Sequence, residues 1–140
     1  MAKSIHLKHC FNAAHRLSKH RGKCQNMHGH TWIVDVTICP LVLKDSLNEH
    51  DMIVDYGNIK EIIDKFDHCS IVNASVDMEY IEFCKARRWA VIGISRDPTS
   101  EVLAQEIKQM LEDELHIRVL KIKVWEKKVE LEASATVTDK

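Results

Sequence analysis

The chain has 140 residues, 45% of them hydrophobic and 29% charged, with a formal net charge of −1. That length suits one globular domain over 1–140 with its own core, and so small a charge gives no basis for a nucleic-acid or anionic-membrane partner. No apolar run approaches the ~20 residues of a membrane span, and Met1-Ala2-Lys3-Ser4-Ile5-His6 lacks the apolar core of a leader, so a cytoplasmic protein is expected.

Residues 4–12 alternate, with Ile5, Leu7, His9 and Phe11 on one face, and predict a strand. A polar, basic loop follows over 18–27. Residues 30–38 are rich in β-branched types and predict a second strand, stopped by Pro40. Asp55-Tyr56-Gly57-Asn58 introduces a helix with Ile59, Ile62, Ile63 and Phe66 as its apolar stripe, ending before Asp67-His68. Residues 77–88 are weakly helical, and 90–94 form a short extra strand. Pro98-Thr99-Ser100-Glu101 starts another helix, with Thr99 as cap and Glu101 favoured by the dipole. Its buried face is Val102, Leu103, Ile107, Met110, Leu111 and Leu115. Residues 119–125 and 131–137 read as a closing strand pair joined by a turn at 126–130. The expected order is β-β-α-α-β-β with an insertion over 77–97. That is an α+β fold, a four-stranded antiparallel sheet with helices on one face.

The chemistry concentrates between residues 15 and 30. His28 and His30 are two apart at the entry to the second strand, so period two puts both on one face. His15 follows the first strand and reaches that face if the two strands pair. Gly29 between the histidines leaves room for close approach. Three imidazoles suit zinc, and three protein ligands leave the open position of a catalytic site. Two other readings stand beside this one. A His-x-His on a strand is commonly a solvated or hydrogen-bonded pair, and Cys24 could close a structural site of one cysteine and three histidines. Cys24 also sits among Lys19, His20, Arg21 and Lys23, a cationic setting of the kind in which thiols react. The other cysteines, at 10, 39, 69 and 84, are odd in number with Cys24, irregularly spaced, and read as small hydrophobes rather than a disulfide framework.

Several stretches, taken in order, resemble the 6-pyruvoyltetrahydropterin synthase family. They are Phe11-Asn12-Ala13-Ala14-His15-Arg16-Leu17, Cys24-Gln25-Asn26-Met27-His28-Gly29-His30, Ile53-Val54-Asp55-Tyr56-Gly57, Phe66-Asp67-His68, Pro98-Thr99-Ser100-Glu101 and Trp125-Glu126. The resemblance implies zinc on His15, His28 and His30. It implies Cys24 as the base acting on the substrate side chain, and Asp67-His68 as a proton relay. It implies Glu126 as the pterin anchor, since a carboxylate can accept an amino group and a ring N–H side by side. Thr99 and Lys23 are counted with Glu126 as substrate-binding, and Lys19, Arg21 and Lys23 are expected to hold a triphosphate.

The spacing of Cys24 and His28, with three residues between them, resembles the bacterial 6-carboxytetrahydropterin synthase branch of the queuosine pathway. That branch implies a carbon–oxygen lyase taking 7,8-dihydroneopterin triphosphate to 6-carboxytetrahydropterin, acetaldehyde and triphosphate. A 6-pyruvoyl product and a non-catalytic zinc protein are the alternatives. The implied architecture is the tunnelling fold, whose sheets join between subunits into a barrel, typically as a homohexamer built from two trimers with active sites between chains.

Overall fold

The alternation of the first forty residues becomes a long antiparallel pair. Ile5–His15 (β1) runs against His28–Pro40 (β2), from Ile5 opposite Ile38 to His15 opposite His28. The computed structural model describes residues 2–42 and 46–128. Both strands extend beyond the predicted bounds at the histidine end, because pairing with a partner carries regular backbone past the point where alternation is legible. Every second side chain of β2 from Trp32 to Ile38 is buried.

Two helices cover that face. Asp55 caps Tyr56–Asp64 (α1) by accepting from Gly57 N at 2.7 Å, and Ile59, Ile62 and Ile63 turn inward. A later helix, Ser100–Leu115 (α3), is capped by Thr99, which accepts from Val102 N, and its Leu103, Ile107 and Leu111 are fully buried. With Phe11, Trp32 and Phe66 these residues make the core, and each fully buried large apolar side chain contributes about 1.5–3 kcal/mol.

Ile117–Glu126 (β5) pairs antiparallel with the other edge of β2. Here the register slips: Thr37 faces Lys121, yet Ile38 faces Val119, so Leu120 is an extra residue. Such a bulge re-aims the residues beyond it. Ile117 and Val119 point inward before it, and Ile122 and Val124 after it. Glu126, opposite Trp32, therefore lands on the histidine face.

The sheet differs from the predicted one at the opposite edge. Cys69–Asn73 (β3) lies parallel to β1, and Val91–Ile94 (β4) lies parallel to β3, giving five strands in the order β4-β3-β1-β2-β5. The sheet is mixed, not four-stranded antiparallel. A short strand buried on both faces shows no alternation, which is why β3 escapes pattern reading. Met78–Ala86 (α2) connects β3 to β4. It packs on the face away from α1 and α3, where Ile81 and Cys84 are buried; a Cβ at Gly93 would lie 2.7 Å from Ile81 Cδ1. The α+β architecture stands, with α1 and α3 on one face and α2 behind the two short strands. The strand expected over 131–137 lies outside the described residues.

Candidate metal centre and its surroundings

The β1–β2 register makes the histidine cluster. His15 pairs with His28 and Ala13 with His30, so all three imidazoles share the core-facing side at one end of the hairpin. Their ring centroids lie 4.5, 4.9 and 5.2 Å apart, and one ligand atom from each falls within 4.8 Å of the others. Trp32 forms the floor, with its ring edge-on to His15 at 4.8 Å and to His30 at 5.5 Å.

Backbone carbonyls orient two of the rings. His15 Nδ1 donates to Pro98 O at 2.8 Å, and His28 Nδ1 donates to Asn26 O at 2.7 Å. With Nδ1 protonated, each Nε2 presents a lone pair, the tautomer that metal-ligating histidines adopt. His15 is only 1% exposed, and its Nε2 is buried with no hydrogen-bond partner. Burial pushes the imidazole below its ordinary value, and His28 and His30 add to that against the opposing Pro98 carbonyl and Glu126. A buried, neutral, partnerless nitrogen costs folding free energy unless something binds it. This donor set fits a zinc-like cation, and the three histidines could hold one. Among the described residues they are the whole group, so Cys24 is not a fourth member.

Cys24 lies on a single helical turn, Lys23–Gln25, in the loop after β1, and is half-buried. Lys19, Arg21 and Lys23 are exposed around it and form no ion pair among the described residues. Glu126 Oε1 lies 3.5 Å from His30 Nε2 and 3.8 Å from His15 Nε2. Thr99 is one residue from the Pro98 carbonyl that orients His15, and its hydroxyl caps α3.

Asp67 and His68 form a tight pair, His68 Nδ1 donating to Asp67 Oδ2 at 2.7 Å. The other carboxylate oxygen accepts from Asn12 N at 2.8 Å. That backbone donor, followed by His68, holds the Asp67 carboxyl below its usual value. His68 takes a left-handed backbone, φ 58°, which lets its own N–H reach Asn12 O at 2.6 Å. Its ring is 80% exposed and lines an open depression of about 590 Å³ with Asn12, Ala14, Gly29 and Thr31. Asn12 and Ala14 alternate with the inward Phe11, Ala13 and His15. The pair thus faces the outer side of the sheet, away from the histidine cluster of the same chain. Gly29 belongs to this outer face too: a Cβ there would meet nothing nearer than Ala13 O at 4.0 Å. Its lack of a side chain opens the depression instead of relieving crowding among the histidines.

Sequence reasoning missed the orienting carbonyls of Pro98 and Asn26 and the Asn12 N–H. Backbone donors and acceptors leave no mark on residue identity.

The comparisons with known proteins agree with this geometry. The family model for 6-pyruvoyl tetrahydropterin synthase matches residues 4–136. The chain is 28% identical over 123 residues to a 6-carboxy-5,6,7,8-tetrahydropterin synthase of Haemophilus influenzae, covering 83% of this chain and 86% of that protein. It is 31% identical over 104 residues to one of Rickettsia bellii, covering 70% and 72%. Among solved structures, an uncharacterized protein from Wolinella succinogenes shares the fold with a TM-score of 0.62 at 19% identity, covering 89% of this chain and 92% of that one.

Proposed function

The chain belongs to the 6-pyruvoyl tetrahydropterin synthase family, and from that premise we propose that it is a zinc-dependent 6-carboxy-5,6,7,8-tetrahydropterin synthase. It takes 7,8-dihydroneopterin triphosphate to 6-carboxytetrahydropterin with release of acetaldehyde and triphosphate, a carbon–oxygen lyase serving queuosine synthesis in the cytoplasm. The observation that carries this reading is the histidine cluster, with two rings turned by backbone carbonyls and one orphaned, buried Nε2. The names of the relatives support the product.

A zinc ion bound by His15, His28 and His30 would polarise the oxygens of the substrate side chain. Cys24 removes a carbon-bound proton from that side chain. Glu126 accepts the pterin amino group and ring N–H together, its register already turning the carboxylate toward the cluster. Thr99 contacts the substrate beside His15. Lys19, Arg21 and Lys23, exposed and without carboxylate partners among the described residues, hold the triphosphate near Cys24.

His68 carries protons at Nε2, while Asp67 keeps the Nδ1 proton in place. Because this pair faces away from its own chain's cluster, it serves the site of a neighbouring chain. The working enzyme is then a homo-oligomer, a hexamer of two stacked trimers, whose sheets join into a barrel. Closure through neighbours also removes the two strand edges that a lone five-stranded sheet leaves unpaired. The test is incubation of zinc-loaded protein with 7,8-dihydroneopterin triphosphate and mass identification of the pterin. The expected product is 6-carboxytetrahydropterin. A 6-pyruvoyl product would move the chain to the other branch, and unchanged substrate would remove the activity.

A further inference from the structure

The segment 77–97 adds α2 and β4 to the sheet, and its two ends meet the loop that carries Cys24. At the first end, Arg16 Nη1 donates to Asp77 Oδ1 at 2.5 Å, while Arg16 Nε donates to Gln25 O at 2.8 Å. One guanidinium thus ties the residue after Cys24 to the start of α2. At the other end, Asp97 accepts from Ser18 Oγ at 2.6 Å, Lys19 N at 2.9 Å and Asn73 Nδ2 at 3.0 Å. Burial alone would raise the Asp97 carboxyl, but these donors outweigh it and hold the group below its usual value. The loop is also closed on itself, Leu17 N donating to Cys24 O at 2.9 Å. Asn73, 3% exposed, joins the two ends: its side chain reaches Asp97, and its carbonyl accepts from Asp77 N at 2.8 Å.

We infer that Arg16, Asp77 and Asp97 are positioning residues for Cys24, and that holding this thiol's loop is what the α2–β4 segment contributes to the reaction. The inference rests on Cys24 being the base proposed above. The physical argument is geometric. A loop of exposed, charged residues has little apolar burial to fix it, so its conformation depends on side-chain bonds to a rigid neighbour. A guanidinium can bridge two acceptors in a fixed fork, whereas an ammonium is a single point charge. Displacing a reacting group by about 1 Å costs on the order of a hundredfold in rate.

The test uses the zinc-loaded full chain with Arg16→Lys and, separately, Asp97→Asn. Arg16→Lys keeps the charge opposite Asp77 and loses the fork. Asp97→Asn puts an amide against the Lys19 N–H. Iodoacetamide labelling of Cys24, read by peptide mass spectrometry against the exposed Cys10 as internal reference, reports the loop directly and needs no turnover. We expect the Cys24 to Cys10 labelling ratio to change by about fivefold or more and the pH profile of Cys24 labelling to move. kcat should fall on the order of tenfold to a hundredfold, with KM within about twofold. Wild-type labelling and kcat in a folded, zinc-loaded variant would overturn the inference, as would a raised KM at unchanged kcat. Should Asp97→Asn fail to fold, Arg16→Lys decides by the same readings. Full turnover in Cys24→Ala would remove the thiol's role and leave the labelling result to judge the clamp alone.

Discussion

The histidine cluster and the Asp67–His68 pair are both built from imidazoles oriented through Nδ1, yet one is finished within the chain and the other is not. His15 is buried against Trp32, its Nδ1 bound to a backbone carbonyl and its Nε2 aimed at two more imidazoles. His68 is equally well oriented, by Asp67, but its ring stands in the open. Orientation is supplied locally in both cases. Enclosure is supplied only for the cluster, whose function requires three groups at once. The exposed pair has to be covered by something else, which is the physical content of a site shared between chains.

The largest effect that sharpens this contrast is loss of a ligand. His28→Ala should remove zinc from the purified protein, read by elemental analysis, and lower kcat by at least about a thousandfold. Retained zinc would break the claim that the cluster is complete in one chain. Next comes the pair. Asp67→Asn should lower kcat by about tenfold to a hundredfold with zinc content unchanged. Mixing it with Cys24→Ala subunits should restore part of the activity, since mixed oligomers contain some sites with both residues intact. No recovery in verified mixed oligomers would place the two residues in one chain's site.

Glu126→Gln keeps the shape and loses a charge-assisted acceptor. KM should rise by roughly tenfold to a hundredfold, in line with about 1.5–3 kcal/mol for a hydrogen bond to a charged group. An unchanged KM would remove the anchor role.

The smallest effect is the acid dependence of stability. The Asp67 carboxyl is held below its ordinary value of 3.8, first by the Asn12 N–H and then by His68. A group depressed in the folded state adds stability above its unfolded value that is lost as pH falls through the folded one. The stability gap between wild type and Asp67→Asn should therefore be full at about pH 7 and close as pH drops below about 3.8, read by denaturant unfolding at a series of pH values. A gap that stays constant down to about pH 2 would mean the carboxylate is not held as described.

Much of this molecule is legible in the sequence because side-chain identity reports what side chains do. The period-two spacing of His28 and His30 does put them on one face, and the apolar stripe Ile59, Ile62, Ile63 does face the core. Features governed by backbone geometry are not legible. The Leu120 bulge, which brings Glu126 to the histidine face, leaves only a mild irregularity in alternation. The parallel strand β3 reads as an unremarkable Cys-Ser-Ile-Val-Asn. Arg16, Asp77 and Asp97 lie far apart along the chain, and nothing in local pattern joins them to Cys24.

The central claim is an open catalytic site in which Cys24 acts on the substrate and not on the metal. The most direct measurement is the zinc content and turnover of Cys24→Ala on one preparation. Full zinc occupancy with turnover reduced by about a hundredfold to ten-thousandfold is the predicted result. Loss of zinc together with activity would contradict it and make Cys24 the fourth ligand of a closed structural site.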